Sequence, residues 1–396
     1  MSHLSARQSA LYRLNPLMLS RISVAFAAIA AVWLTVASVH GEVIALIAAI
    51  AVAVTGHAGR ILAGQRSATA VEWGLAGCGM LAEFLVYAGI AAAAGFHAGT
   101  PLGMAANSLS GTFVAGFGGV GTAGVWRLAI MAVILTVLTA MVDICVHGPA
   151  LPGTRLRVFG PPGDIRLPVA CAAMLVFGAR AAFLVVLVLG VTALGATIMD
   201  GTRQTSDRGE LRGYRGDGRL AIWIGKWVEG KVPPLPPLLV GLLVTGVLAA
   251  LGLKNLSGIL LLTPAEAMLL AAFASWHPHD GRSDWLVPPL LQAGEYVFLA
   301  EIGYAGRVWP AMTFAVVAAA GLRHLDLAYR VRGGLANGID RRGLGWEGRM
   351  LAAGIAAAVG IAPLVYTALA LYLWYRLARD WVIGWSSRPM SRTLQR

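Results

Sequence analysis

The chain has 396 residues, of which 58% are apolar and only 13% charged, with 49 glycines and a formal net charge of +12. That balance excludes an ordinary soluble globular protein. Repeated apolar runs of about 20 residues, long enough to cross a ~30 Å hydrocarbon layer as helices, point instead to an all-α polytopic integral membrane protein. The runs are continuous rather than alternating, which favours helices over a barrel, because helices satisfy their own backbone groups in lipid.

In chain order the expected spans are 19–39, 43–63, 72–96, 125–146, 165–178 and 181–200, then 234–253, 256–276, 284–305, 307–330, 346–361 and 363–385. The pairs 165–200 and 346–385 each admit one bent helix or two. The first apolar run leads straight into a second, so it is expected to be a retained span rather than a cleaved signal peptide. All but four of the 31 Lys and Arg fall at the N-terminus or in alternate loops from there; the exceptions are Arg127, Arg180, Lys254 and Arg307. The positive-inside rule then predicts a multi-pass plasma-membrane protein with both termini in the cytoplasm. The positive charge calls for no nucleic acid; membrane lipid with anionic headgroups is the expected partner of the basic rims.

Cys78, Cys145 and Cys171 all fall within spans and are expected to be small buried apolar residues rather than disulfide partners. The Gly-rich stretch 98–124 lacks a P-loop Lys-Ser/Thr pair and is expected to be a flexible external connection. The polar 201–232 segment, with "GYRGDGR" at 213–219, is expected to be a basic cytoplasmic linker making a solvated approach to the membrane.

Internal comparison suggests two related six-helix halves in parallel orientation, 1–200 and 233–396, joined by that linker. "LAEFLVYAG" (81–89) resembles "AGEYVFLAE" (293–301), aligning Glu83 with Glu295. "VWRLAIMAVILTVLTAMVDICVHG" (125–148) resembles 308–333 and aligns Asp143 with Asp326; "GDIRL" (163–167) matches "WEGRM" (346–350) and aligns Arg166 with Arg349. In the last pair the acid is expected to cap its helix start while the arginine points elsewhere.

"LNPLMLSR" (14–21), "GQRSA" (64–68), "LAEFLVYAG" and "FGARAAFLVVLVLGVTALG" (177–195) resemble the CDP-alcohol phosphotransferase family, six-helix membrane enzymes that include phospholipid-headgroup synthases. "PPLLQAGEY" (288–296), "LRHLDLAYRVR" (322–332) and "GWEGR" (345–349) resemble the uncharacterised membrane domain fused to such transferases, without the nucleotidyltransferase part. The resemblance implies a site built on D-x2-D-G-x2-A-R-x8-G-x3-D-x3-D, whose four carboxylates hold two divalent ions against the CDP pyrophosphate. Here the first two aspartates align with Thr55 and Ala58, ahead of a retained Gly59, and no aspartate precedes Asp143. Gly59, Arg60, Gln65, Ser67 and Glu83 thus form a relic motif, and the standard two-metal chemistry is not expected from the first half.

The second half offers "SWHPHDGRSDW" (275–285), in which His277, Asp280 and Gly281 reproduce the D-x2-D-G frame with histidine first. His277, His279 and Asp280 are candidate ligands for a divalent metal (magnesium, manganese or zinc), and His277, Asp280, Asp284 and Glu295 are candidate catalytic groups. The alternative is a merely polar interfacial turn. Glu295 lies about three helical turns beyond Asp284, some 16 Å along the axis. Glu83 and Glu295 sit mid-span, where an ionisable group faces a partner or a polar cavity. Asp143 with His147, and Asp326 with Arg330, have the spacing of local pairs on one helix face. Arg330, Arg332, Arg341, Arg342 and Arg349, with Asp326, suggest a lipid-phosphate or nucleotide-diphosphate pocket, since guanidinium groups bind phosphate bidentately; topology alone would also make these loops basic.

Two functions of different class are expected. One is a phosphotransferase-like protein acting on or binding a CDP-activated alcohol or lipid phosphate at the cytoplasmic face. The other is a non-catalytic scaffold or partner subunit for a separate nucleotidyltransferase or lipid-synthesis enzyme, with a transporter as a third reading. The resembled family also implies a dimer, either a homodimer of this chain or an internal one made by its two halves.

Overall fold

The computed structural model describes residues 15–36, 38–64, 69–94, 121–147, 163–203, 212–252, 258–279, 281, 283–332 and 344–386. Among them there is no β-strand. The helices are α1 (Pro16–Leu34), α2 (Val39–Gly64), α3 (Thr69–Ala93), α4 (Thr122–His147), α5 (Gly163–Phe177), α6 (Ala179–Arg203), α7 (Arg219–Trp227), α8 (Leu235–Leu251), α9 (Thr263–Leu269), α10 (Val287–Ala305), α11 (Pro310–Arg332), α12 (Trp346–Ala358) and α13 (Ala362–Ser386). Short 3₁₀ turns at Gly258–Leu262, Leu270–Ala274, Arg212–Arg215 and Asp284–Leu286 complete the described helical structure.

Local chemistry sets several boundaries. Asn15 caps α1 through a side-chain bond from Leu17 N (3.0 Å), with Pro16 at the first helical position, where its missing N–H costs nothing. The two pairs left open as one bent helix or two are each two helices. Gly178 (φ +83°) separates α5 from α6, and Gly360 (φ +79°) lies between α12 and α13; only glycine takes that backbone without strain.

Among the described residues, six helices are long and apolar enough to cross a membrane: Pro16–Leu34, Val39–Ala63, Gly74–Ala93, Thr122–Val146, Ala179–Thr202 and Pro310–Val331. The chain is therefore an all-helical protein with several membrane-compatible helices. Helices occur in all twelve expected places, but six of the twelve fail that test. Ile165–Phe177, Leu235–Leu251 and Gly258–Ala274 are apolar but short. α10 and α13 are long enough but carry interior charge, and α12 has 13 residues, about 20 Å, short of the ~30 Å layer.

α11 and α4 run through the middle and pack on each other. At their crossing Gly321 lies so close to α4 that a Cβ there would meet Val137 Cγ2 at 2.6 Å. In lipid, where tails are as apolar as leucine, such close van der Waals contact drives helix association. Around this pair, α1 packs on α2 and α3, α3 on α4 and α5, α4 on α6, and α5 on α6. The same neighbour scheme recurs later: α8 on α9 and α10, α10 on α11 and α12, α11 on α13, and α12 on α13. Outward-facing Val32, Ile47, Val54, Leu243, Leu364 and Leu371 are exposed, as a lipid-facing rim requires. Cys78, Cys145 and Cys171 are free and buried. The stretch 98–120 lies outside the described residues.

One expectation is overturned. The linker is not solvated over "GYRGDGR": Tyr214, Arg215 and Asp217 are buried, Arg215 completely. The segment 212–218 lies against α10 and α11, and α7 against Leu270–Ala274, because Arg215 and Asp217 satisfy each other and their neighbours inside the protein. Buried charges persist when paired and hydrogen-bonded, and this pair is both.

Candidate functional site

Two buried ion pairs join the residues that the sequence comparison aligned. Arg166 on α5 reaches Glu83 on α3 (Nη2–Oε1 3.8 Å), while Tyr87 Oη donates to Glu83 Oε2 (3.1 Å) and Arg166 Nη1 to Thr136 Oγ1 (3.4 Å). Arg349 on α12 clasps Glu295 on α10 in bidentate fashion, Nε–Oε1 2.5 Å and Nη2–Oε2 2.9 Å. Arg349 Nη1 also donates to Leu344 O (2.8 Å), and Nη2 to His324 Nε2 (2.9 Å). Because Nε2 accepts from a guanidinium, the His324 proton sits on Nδ1, 2.6 Å from Tyr296 Oη. The Glu295 cluster is therefore a closed, neutralised knot, and Arg349, a candidate phosphate ligand, spends its donors on protein groups.

A second knot holds the linker. Arg215 Nε donates to Asp217 Oδ2 (2.9 Å) and Nη2 to Ala271 O (2.7 Å), and Trp346 Nε1 donates to Asp217 Oδ1 (2.8 Å). Arg215 Nη1 lies 3.3 Å from His279 Nε2, while His279 Nδ1 lies 2.7 Å from His277 O. The carbonyl fixes the proton on Nδ1, so Nε2 accepts from arginine. Burial, reinforced by Arg215, pushes the His279 pKa down to about 4. Next to it Glu347 accepts the backbone N–H groups of Gly218 (Oε2, 3.1 Å) and Ala221 (Oε1, 3.3 Å). Gly218 is the N-cap of α7 and offers no side chain, so Glu347 supplies the cap from across the fold. The acid was expected to cap the start of its own helix; these two bonds cap a different helix, α7.

The approach requires glycine on both sides. A Cβ on Gly345 would overlap Gly218 N and lie 2.5 Å from Gly218 Cα, and one on Gly218 would overlap Glu347 Oε1.

The "HPHDGRSD" residues do not form one cluster in the described structure. His277 is half-buried and its Nδ1 contacts the Pro278 carbonyl. His279 is buried with both ring nitrogens engaged, so binding a metal would require breaking its bond to Arg215. Asp284 is buried and its Oδ2 accepts from Gly281 N (3.0 Å), closing the loop on itself. Asp280 lies outside the described residues. Among the described residues no three His, Cys, Asp or Glu side chains are placed to hold a metal ion.

In the relic motif, Gly59 is a packing glycine whose Cβ would meet Leu75 Cδ2 at 3.2 Å and Pro16 O at 3.4 Å. Arg60 lies within the field of Glu83, and Gln65 and Ser67 fall outside the described residues.

The remaining polar concentration lies where the C-terminal end of α11 meets α13. Asp326 pairs with Arg330 (Oδ2–Nε 2.9 Å), as the i,i+4 spacing requires, and Arg330 Nη2 donates to Asp380 O (3.0 Å). Asp380 Oδ2 stands 3.7 Å from Arg323 Nη1 and 4.0 Å from Arg376 Nη2, and Oδ1 stands 2.8 Å from Arg379 Nη2. Arg323, Arg330, Arg376 and Arg379 thus lie around Asp326 and Asp380, and the two longest of these contacts are those of Arg323 and Arg376. The buried Asp326 Oδ1 has no hydrogen-bond partner. The side chain of Arg332, and Arg341 and Arg342 altogether, lie outside the described residues.

Sequence reasoning missed Arg215, Asp217, His324, Arg323, Arg376 and Asp380.

A model of a family of unknown function (DUF5941) matches residues 208–378. The match takes in the buried linker segment together with α7 to most of α13, so residues 212–227 group with the helices C-terminal to them. No curated protein and no solved structure matches the chain.

Proposed function

We propose that this protein is a CDP-alcohol phosphotransferase-like plasma-membrane protein that binds a lipid phosphate or CDP-activated alcohol, without the two-metal transfer chemistry in its first half. The observation that carries this reading is the gathering of guanidinium groups at the junction of α11 and α13. Arg323, Arg330, Arg376 and Arg379 lie around Asp326 and Asp380, and guanidinium groups gathered in this way suit bidentate contact with a phosphate or pyrophosphate. Unpartnered Asp326 Oδ1 would accept from a hydroxyl of the same ligand.

The two-half, twelve-helix architecture belongs to the same proposal. It is supported by the matched ion pairs Glu83–Arg166 and Glu295–Arg349, by the repeated neighbour scheme, and by the breaks at Gly178 and Gly360. In this arrangement α4 and α11 form an internal counterpart of a dimer interface, and both termini with the arginine cluster face the cytoplasm.

The test is binding of phosphatidic acid and of CDP to the purified protein in phosphatidylcholine nanodiscs. Arg323→Gln and Arg376→Gln are expected to weaken binding by roughly tenfold or more each, the worth of a charge-assisted hydrogen bond. Binding no stronger than that of an uncharged lipid, or variants that bind like the parent, would overturn the reading.

A further inference from the structure

Helix α7 lies outside the arginine cluster and presents two unlike faces. Its inner face is small. Ala221 and Gly225 press on residues 271–276, where Ser275 Oγ donates to Ala221 O (2.6 Å) and a Cβ on Gly225 would meet Trp276 N at 2.9 Å. Its outer face carries Arg219, Trp223, Lys226 and Trp227, all exposed, with the two indoles 65% and 78% accessible. At 100° per residue these four fall within an arc of about 100°, opposite Ala221 and Gly225.

We propose that this arc is a binding surface for anionic lipid headgroups, which fixes α7 at the membrane boundary. Three observations favour a lipid surface over a protein partner. The arc has charge of one sign, two cations and no acid, which complements an anionic leaflet. Indole beside Lys or Arg is the chemistry of the headgroup level, where an amphipathic ring meets both hydrocarbon and water. The arc is also continuous with an apolar surface: after a turn in which Glu229 (φ 55°) and Gly230 (φ 70°) both adopt left-handed backbone, the chain enters α8, whose Leu239, Val240 and Leu243 face outward. Lys226 Nζ additionally sits 5.0 Å from the Trp276 ring, holding the cation at the edge of the arc. Through Glu347, which caps α7, headgroup binding outside is connected to the buried knot inside.

The experiment uses the full-length protein in nanodiscs of phosphatidylcholine and phosphatidylglycerol. Lipids brominated near the headgroup are expected to quench part of the tryptophan emission, and that part should disappear in the Trp223→Phe/Trp227→Phe double variant. Retention of phosphatidylglycerol over phosphatidylcholine, read by native mass spectrometry, should fall roughly fivefold for each charge removed by Arg219→Gln and Lys226→Gln. All four side chains are exposed, so the variants should still unfold cooperatively in detergent and show that the fold survives. Shallow quenching undiminished in the double variant, or a lipid preference unchanged by the charge variants, overturns the proposal. So does efficient disulfide trapping of two copies through Trp223→Cys, which would assign the arc to self-association.

Discussion

Replacing Gly345 with alanine tests the closest backbone approach between the linker and α12. Gly345 has φ −65° and ψ 178°, which alanine adopts without strain, so any cost is steric rather than conformational. The new methyl would overlap Gly218 N and Glu347 Oε2 and lie 2.5 Å from Gly218 Cα. Backbone on one side and a hydrogen-bonded carboxylate on the other leave nothing flexible to yield. Separating the segments adds loss of the α7 cap to the overpacking, about 2 to 5 kcal/mol together. Equilibrium unfolding in detergent measures the loss, and limited trypsin cleavage after Arg215 and Arg219 reports whether the linker has come away. Gly246→Ala in α8 is the control, because a Cβ there meets nothing within 4 Å and the helix should gain up to about 1 kcal/mol. A Gly345→Ala protein as stable and as trypsin-resistant as the parent would refute the contact and the docking built on it.

His279 gives a pH dependence of defined sign. Its pKa is about 4 in the folded protein against an ordinary 6.5, with Arg215, Asp217 and His277 as the neighbouring charged or titratable groups. Between those values the unfolded chain binds the proton that the folded chain refuses. Stability from this group is therefore complete above pH 6.5 and declines as pH falls toward 4, by at most about 3 kcal/mol; His279→Asn should flatten that part of the melting profile. Glu295→Ala leaves the guanidinium of Arg349 buried without its carboxylate and is expected to destabilise by about 3 to 5 kcal/mol, with much of the loss recovered in a Glu295→Met/Arg349→Met double variant. Glu83→Ala should cost less than Glu295→Ala in the same unfolding assay, because the Glu83–Arg166 contact is a single one at 3.8 Å; equal losses would contradict the geometric ranking.

The helices were legible because each needs only an apolar run and a boundary signal, and both are local. Asn15-Pro16 states where α1 begins, and Gly178 and Gly360 state where a bent span becomes two. The pairing of Glu83 with Arg166 and of Glu295 with Arg349 was half legible. Alignment marked all four as recurring, but recurrence does not say which residue touches which. The linker was misread for a physical reason. Arg215, Asp217 and the glycines around them have a soluble composition, and only the three-dimensional supply of Ala271 O, His279, Trp346 and Glu347 makes their burial tolerable. Those partners lie 56 to 129 positions away, beyond any window of periodicity. The metal reading of "HPHDGRSD" failed to gain support similarly, since residue types suit several chemistries until the neighbour of each ring nitrogen is known.

The cap that Glu347 places on α7 also dictates an order of events. Its partners Gly218 and Ala221 are separated from it by 129 and 126 positions. At usual synthesis rates that gap takes on the order of ten seconds. Throughout that interval the start of α7 has two backbone donors waiting for an acceptor that does not yet exist. Docking of the linker is therefore a late step of biogenesis, completed only when α12 has been made, and a chain stopped before Glu347 would leave its own middle exposed to proteases.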